Sequence, residues 1–328
     1  MLRSVATARR LEKALYAKGG MVEATSIVRK LFDGVVPERA TDIEAITQKY
    51  DHKFRLIADR EGFNLDAGGF SAIQYTSRST RQMWLFGYAG MQALHCYSSL
   101  IVLLKSLNKT LEIDEVNRMP GQAEEDEKFK KIVDAVKDLN SVFHEDDFSW
   151  PSDIPEPESG RPEDAERAAV FDLTCMATAY VFLHELKHVI FSAEGDAPED
   201  PRIEEYRCDE FAKEMMISEI RQYAESSGYP EDEVIRKRMM GVALASAFIL
   251  FATGKDRFAG SESHPPVHGR WLATVKDVNL PDDDWFWLYF SSLSLALLKY
   301  YSISISPKTI QSYKSLCLDL VVDLENGI

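Results

Sequence analysis

The apolar positions of this chain recur at helical spacing from Pro162 onward. The run 168–191 (AAVFDLTCMATAYVFLHELKHVIF) is apolar on nearly every face, which predicts a centrally buried helix. Pro162-Glu163-Asp164 predicts its start, with proline at the first position and acids in the first turn, and SAEGDAPEDP ends it. Pro201 opens another helix over 202–225, and further helices are expected near 231–253, 267–276, 283–301 and 307–325.

Upstream, residues 4–50 read as two or three helices, broken at Gly19-Gly20 and around Gly34 to Pro37. Residues 53–76 alternate in the β manner and predict a small antiparallel sheet or hairpin pair. An apolar helix over 79–107 follows. The acidic, Pro-containing stretch 108–166 then holds an amphipathic helix near 124–142 and the loop SWPSDIPEPESGRPED. Phe148 and Trp150 predict that this loop packs back on the body. The expected class is mainly α with a small β element (α+β) in a single compact body. Three regions are expected: 1–107, helical with the β element; 108–161, an acidic connecting segment; and 162–328, the helical core.

Composition narrows the function. The chain has 328 residues, 38 Lys+Arg against 53 Asp+Glu and a net charge of −15. That balance argues against nucleic-acid and anionic-membrane binding, which want basic patches. The four cysteines (Cys96, Cys175, Cys208, Cys317) form no CxxC pair and read as reduced thiols in a cytoplasmic protein. The basic N-terminus MLRSVATARRLEKALYAKGG has no apolar secretory region and reads as an exposed first helix rather than a transit peptide. The uncharged run Gln82–Leu104 is long enough to cross a bilayer, but Gln82, Gln92, His95, Ser98 and Ser99 suit a buried helix better; 239–254 and 285–298 are short for a span. No membrane segment is expected.

Inside the buried helix stands His184-Glu185-Leu186-Lys187-His188, an HExxH. Histidines four apart share a helix face, so both imidazoles can reach one metal ion, while Glu185 is rotated to address the attacking water. Catalytic zinc usually takes three protein ligands. Seventeen residues after His188, Glu205-Tyr206-Arg207-Cys208-Asp209 places Glu205 and Asp209 on one face of the next helix. Glu205 completes a His-His-Glu set, and Asp209 would accept the free ring N–H of a ligand histidine, best His184. Glu204 is the rival third ligand; Glu205 is preferred because only that choice puts an aspartate one turn later. Downstream, Ser263-His264-Pro265-Pro266-Val267-His268-Gly269-Arg270 is a rigid turn entering a helix. It could aim His264 at the site from the opposite wall with Arg270 behind it, either one stabilising an oxyanion. A second metal pair of His264 with His268 is disfavoured because the prolines put His264 outside the helix. His52, His95 and His144 have no motif partners and read as surface or core residues.

HExxH, ExxxD and HPPxxxR in this order resemble gluzincin-type zinc metalloproteases. Membrane-embedded members of that group share the order but are built on spans not expected here. The closer resemblance is to the phage-exclusion Lit-type peptidase family. It rests on Ser149-Trp150-Pro151 and the Pro-Glu loop, the apolar lead-in to HELKHVIF, EEYRCDEFAKEMM, ALASAFIL and SHPPVHGRW, covering roughly 149–275. Gly62-Phe63-Asn64-Leu65 is weakly similar. Cys208 departs from the pattern, standing where such motifs usually have alanine.

The resemblance implies a host-encoded zinc endopeptidase in anti-phage defence. His184, His188 and Glu205 would hold Zn2+, Glu185 would be the base, and His264 and Arg270 would match the HPPxxxR segment. The implied substrate is elongation factor Tu, and the implied activator a phage-derived peptide. Two alternatives stand beside it: a regulatory zinc protease cleaving a repressor or antitoxin, and a non-catalytic zinc scaffold, against which the intact Glu185 speaks. The negative charge around 108–166 and 194–214 predicts an acidic rim that favours a basic or neutral substrate segment. The 108–166 segment is a candidate gate because it leads into the active-site helix.

Overall fold

A computed structural model describes residues 20–60, 62–68, 71–142, 147–157 and 160–328. The expected N-terminal basic helix up to Lys18 and the placement of His144 lie outside these. Helices dominate. The elements in order are α1 (Gly20–Val35), α2 (Ala40–Tyr50), β1 (Lys53–Ile57), β2 (Leu65–Gly68), β3 (Ala72–Thr76) and α3 (Ser77–Ser106). Next come β4 (Thr110–Leu111), α4 (Ile113–Asn117), α5 (Gln122–Ser141), α6 (Ala165–Glu194) and α7 (Pro201–Ile217). The rest are α8 (Ile220–Ser227), α9 (Glu231–Thr253), α10 (Val267–Val275), α11 (Trp285–Tyr300), β5 (Lys308–Thr309) and α12 (Tyr313–Asn326). The mainly helical class with a small β element is what the pattern predicts.

The sheet is not simply antiparallel. Its order is β1-β3-β2: β1 pairs parallel with β3, and β2 pairs antiparallel with it. Period-2 alternation encodes which face is buried but not strand direction. The chain between β1 and β3 is long enough to carry β1's neighbour past it, with β2 on the outer edge. A second departure is the last helix, which starts at Tyr313 rather than near 307. Ser312 and Ser315 form its capping box, and the residues before it pair as β5 with β4. The helix expected over 202–225 breaks at Ser218-Glu219 into α7 and α8.

Helix α6 is the axis of the molecule. Its N-cap is Asp164, whose carboxylate accepts the Arg167 N–H at 2.8 Å, so Pro162 lies just outside the helix rather than in its first turn. Gly195 ends it in the left-handed conformation. α6 packs between α3, α7 and α9, with the sheet along its side. Phe182 makes edge-on contacts with Phe54 of β1 and Tyr75 of β3, at centroid distances of 5.4 and 5.2 Å. Two glycines let neighbouring helices close in on it. A Cβ at Gly87 of α3 would lie 2.2 Å from Thr174 Oγ1, and one at Gly241 of α9 would lie 2.4 Å from Met176 Cβ.

α6 is also the one helix among the described residues long and apolar enough to cross a membrane. Its most apolar stretch is 61% buried against the rest of the protein, so the hydrophobicity is largely accounted for by packing. The loop before α6 folds back: Trp84 Nε1 donates to the Pro155 carbonyl and Trp150 Nε1 to that of Ile154, both at 2.7 Å.

Candidate metal centre

His184 and His188 project from α6 one turn apart, their rings 5.0 Å between centroids. α7 runs alongside and presents Glu204, Glu205, Cys208 and Asp209. Pro201 at its first turn and the Asp200 side chain accepting from Arg202 N–H at 2.9 Å fix where that helix begins, and so which residues face α6.

The two adjacent glutamates divide the work. Glu204 Oε1 lies 2.7 Å from His188 Nδ1, on the outer side of that ring. Asp209 Oδ1 lies 2.9 Å from His184 Nδ1. With both Nδ1 atoms donating outward to carboxylates, both Nε2 atoms turn inward. There they meet Glu205: Oε2 is 3.4 Å from His184 Nε2, Oε1 is 3.3 Å from His188 Nε2, and the two Nε2 atoms are 3.3 Å apart.

This triangle is informative. Neutral imidazoles with Nδ1–H leave lone pairs on Nε2, so three acceptors converge, and only positive charge between them makes the arrangement favourable. Tetrahedral bonds of about 2.0–2.1 Å would place neighbouring ligand atoms about 3.3–3.4 Å apart. The Nε2–Nε2 edge matches, and Glu205 brings one carboxylate oxygen to each imidazole at a similar distance, so the residues fit a small divalent cation. His184, His188 and Cys208 also form a group whose donor atoms all lie within 4.8 Å of one another.

Burial alone would pull both imidazolium ions down. For His184 the bonds to Asp209 and Glu205 outweigh it, and for His188 those to Glu205 and Glu204, raising each to about 9. Burial would raise Glu205, but the two histidines and Arg270 hold it far below the ordinary carboxylate range; Arg270 and His184 do the same for Asp209. The same carboxylates that raise the histidines favour positive charge at the centre.

Glu185 is anchored from the sheet side. Its Oε2 accepts the backbone N–H of Ala67 in β2 at 2.7 Å. Burial pushes its carboxyl pKa up, against the pull of the neighbouring histidines and the Ala67 amide. A half-buried carboxyl with a raised pKa beside a candidate cation site suits proton transfer near neutrality.

Arg270 enters from α10. Its Nε and Nη2 form a fork on Asp209, at 2.7 Å to Oδ2 and 2.6 Å to Oδ1, and its Nη1 lies 3.3 Å from Glu205 Oε2. Its recorded partners are thus carboxylates. Tyr180, one turn before His184, donates to Asp209 Oδ1 at 3.0 Å. His264 is not brought into the cluster: it is exposed, with Nδ1 2.8 Å from Ser263 Oγ and no bond to the centre among the described residues. His268 points elsewhere, 3.7 Å from Glu325, so the disfavoured His264–His268 pair does not form.

Sequence reasoning missed Tyr180, Ala67 and the outward role of Glu204. Tyr180 carried a usable signal, four residues before His184 on the same face. Ala67 acts through its backbone, which no side chain announces. His52, read as surface or core, is buried; its ring stands edge-on to Phe54 at 5.3 Å. His95 is exposed, 3.2 Å from Glu166.

The sequence profile of the Peptidase U49 family matches residues 73–290, which include every member of the cluster except Ala67. The chain is 21% identical over 300 residues to the cell death peptidase of Escherichia coli K12, an alignment spanning 88% of this chain and 92% of that protein. No solved structure matches it. With most of the chain matched, HExxH helix and α7 carboxylates included, this protein belongs to the Peptidase U49 family.

Proposed function

We propose that the protein is a zinc-dependent endopeptidase that hydrolyses a peptide bond in a host protein during anti-phage defence. The observation that carries the metal assignment is the triangle of His184 Nε2, His188 Nε2 and Glu205 carboxylate with edges of 3.3–3.4 Å. Two imidazoles and a carboxylate suit zinc, with one coordination position left over for catalysis.

A zinc ion held there supplies Lewis acidity to the attacking water and to the scissile carbonyl. Glu185 takes the proton from that water and hands it to the leaving amine nitrogen. Asp209 and Glu204 fix the tautomers of His184 and His188, keeping both Nε2 lone pairs inward. Arg270 and Tyr180 hold Asp209, and Arg270 also steadies Glu205. Oxyanion stabilisation is assigned to His264, as its motif implies, and requires the turn at Pro265-Pro266 to approach the bound substrate.

The target is a cytoplasmic protein whose cleavage arrests the infected cell. Elongation factor Tu is the candidate implied by the Lit-type resemblance, with a phage-derived peptide as activator; the similarity to a protein named cell death peptidase agrees with a lethal target. The acidic charge near the site favours a neutral or basic cleavage segment. N-terminal proteomics on cells expressing wild type or Glu185→Gln, with and without phage, tests this. A new N-terminus in elongation factor Tu, seen only with wild type and phage, is expected. Cleavage of a repressor or antitoxin instead would replace the target, and no difference between the two proteins would remove the peptidase mechanism.

A further inference from the structure

Cys208 lies where the metal centre is closest to gaining another donor. It sits on α7 one turn after Glu205 and directly before Asp209, so its side chain shares the face turned towards α6. It is fully buried and reduced, and its Sγ has no hydrogen-bond partner among the described residues. Its Sγ and a ring nitrogen from each of His184 and His188 all lie within 4.8 Å of one another. A cation bound to nitrogen at about 2.0 Å and to sulfur at about 2.3 Å needs those donors about 3.5 Å apart. An advance of roughly an ångström by the thiol, well within the reach of a side-chain rotation, would close that gap.

We propose that Cys208 is a fourth protein ligand for the ion held by His184, His188 and Glu205, and that its binding makes a resting form of the enzyme. This inference rests on the reading of the site as a zinc centre. In the open form three residues hold the ion and one position serves catalysis. In the closed form Sγ bonds to the ion and releases its proton to solvent, and the catalytic position is filled. Four protein ligands are the mark of a structural zinc site and three of a catalytic one, so this single thiol moves the centre between the two classes. Soft sulfur also raises affinity for zinc, so the resting form would retain its metal well.

The test uses the full-length protein, stripped of metal and reloaded with one equivalent of Co2+. Wild type should show a near-ultraviolet thiolate-to-cobalt charge-transfer band. Cys208→Ala and Cys208→Ser should bind one cobalt by elemental analysis, keep the weak visible bands and lose the charge-transfer band. Zinc-loaded Cys208→Ala should show basal peptidase activity raised several-fold. A wild type that binds one cobalt with visible bands but no charge-transfer band overturns the role of Cys208 and leaves the zinc reading standing. A wild type that binds no cobalt overturns both. A charge-transfer band that survives in both variants assigns the sulfur ligand to another cysteine and likewise overturns the proposal.

Discussion

Ala67 donates its backbone N–H to Glu185 Oε2 across 2.7 Å, joining the outer strand of the sheet to the HExxH helix at the carboxylate proposed as the base. A glutamine can accept the same bond through its amide oxygen but cannot take a proton from water. Glu185→Gln should therefore fold with unchanged Tm, bind one zinc by elemental analysis and lose cleavage by at least about 10³-fold, at the upper end of what a positioned base contributes. Retained activity would remove Glu185 from that role.

The carboxylates of α7 should separate by metal affinity. Glu205→Ala removes a ligand and should leave no stoichiometric zinc. Glu204→Gln and Asp209→Asn remove only the outer partners of the imidazoles and should weaken zinc binding by about 10–100-fold. Competition with a chromophoric chelator measures all three. If Glu204→Gln loses metal as completely as Glu205→Ala, the two glutamates are assigned the wrong way round.

His264→Ala distinguishes the motif's implication from the observed geometry. Loss of an oxyanion donor typically lowers kcat by about 10²–10³ with KM little changed. Such a result requires the exposed turn to close over the substrate. A kcat within about twofold of wild type would leave the oxyanion to other groups.

Acid should destabilise the protein partly through His52. Burial, followed by the nearby Arg29 and Lys53, lowers its pKa from 6.5 to about 4. The unfolded chain then binds more protons than the native state between those values. Stability from this group is full above about pH 6.5 and is lost as pH falls towards 4, by roughly 2–3 kcal/mol near pH 4.5. Denaturant titrations of wild type and His52→Gln at pH 7 and 4.5 should show a shallower loss in the variant. Equal losses would place the acid sensitivity elsewhere.

Gly241→Ala pits local preference against packing. Alanine favours a helix over glycine by about 1 kcal/mol. Its methyl, however, would lie 2.4 Å from Met176 Cβ, forcing α9 away from α6. Overpacking of this kind costs about 1–3 kcal/mol, so a lower Tm is expected despite the better helix former. A raised Tm would mean that the two helices part without strain.

The helices and the inner face of the centre were legible because both follow from spacing on a helix. HExxH and ExxxD each put their reactive groups one turn apart, and no tertiary knowledge is needed to see that they converge. Which of Glu204 and Glu205 points inward was harder. Neighbours on a helix diverge by about 100°, so the aspartate one turn on was the sole guide. The parallel pairing of β1 with β3 and the joining of β4 to β5 were illegible because alternation carries no direction and two-residue strands carry no pattern. His264 and Arg270 lie on a turn and a short helix whose approach is set by packing far from the motif. The sequence sets Arg270 behind His264, either one able to stabilise an oxyanion; in the fold Arg270 grips Asp209 and Glu205.

The two histidines ride on α6 and their carboxylate partners on α7, while the glycines facing Thr174 and Met176 leave α6 little room to shift. The centre thus acts as a gauge of the gap between two rods, one fixed and one held by Arg270. Prising α7 outward by a single ångström would lengthen both contacts between Glu205 and the histidines together, so a cation proposed there is sensitive to a small separation of the helices. On the proposed zinc reading, anything that wedges between these helices would lower activity by widening the gap the ion must bridge.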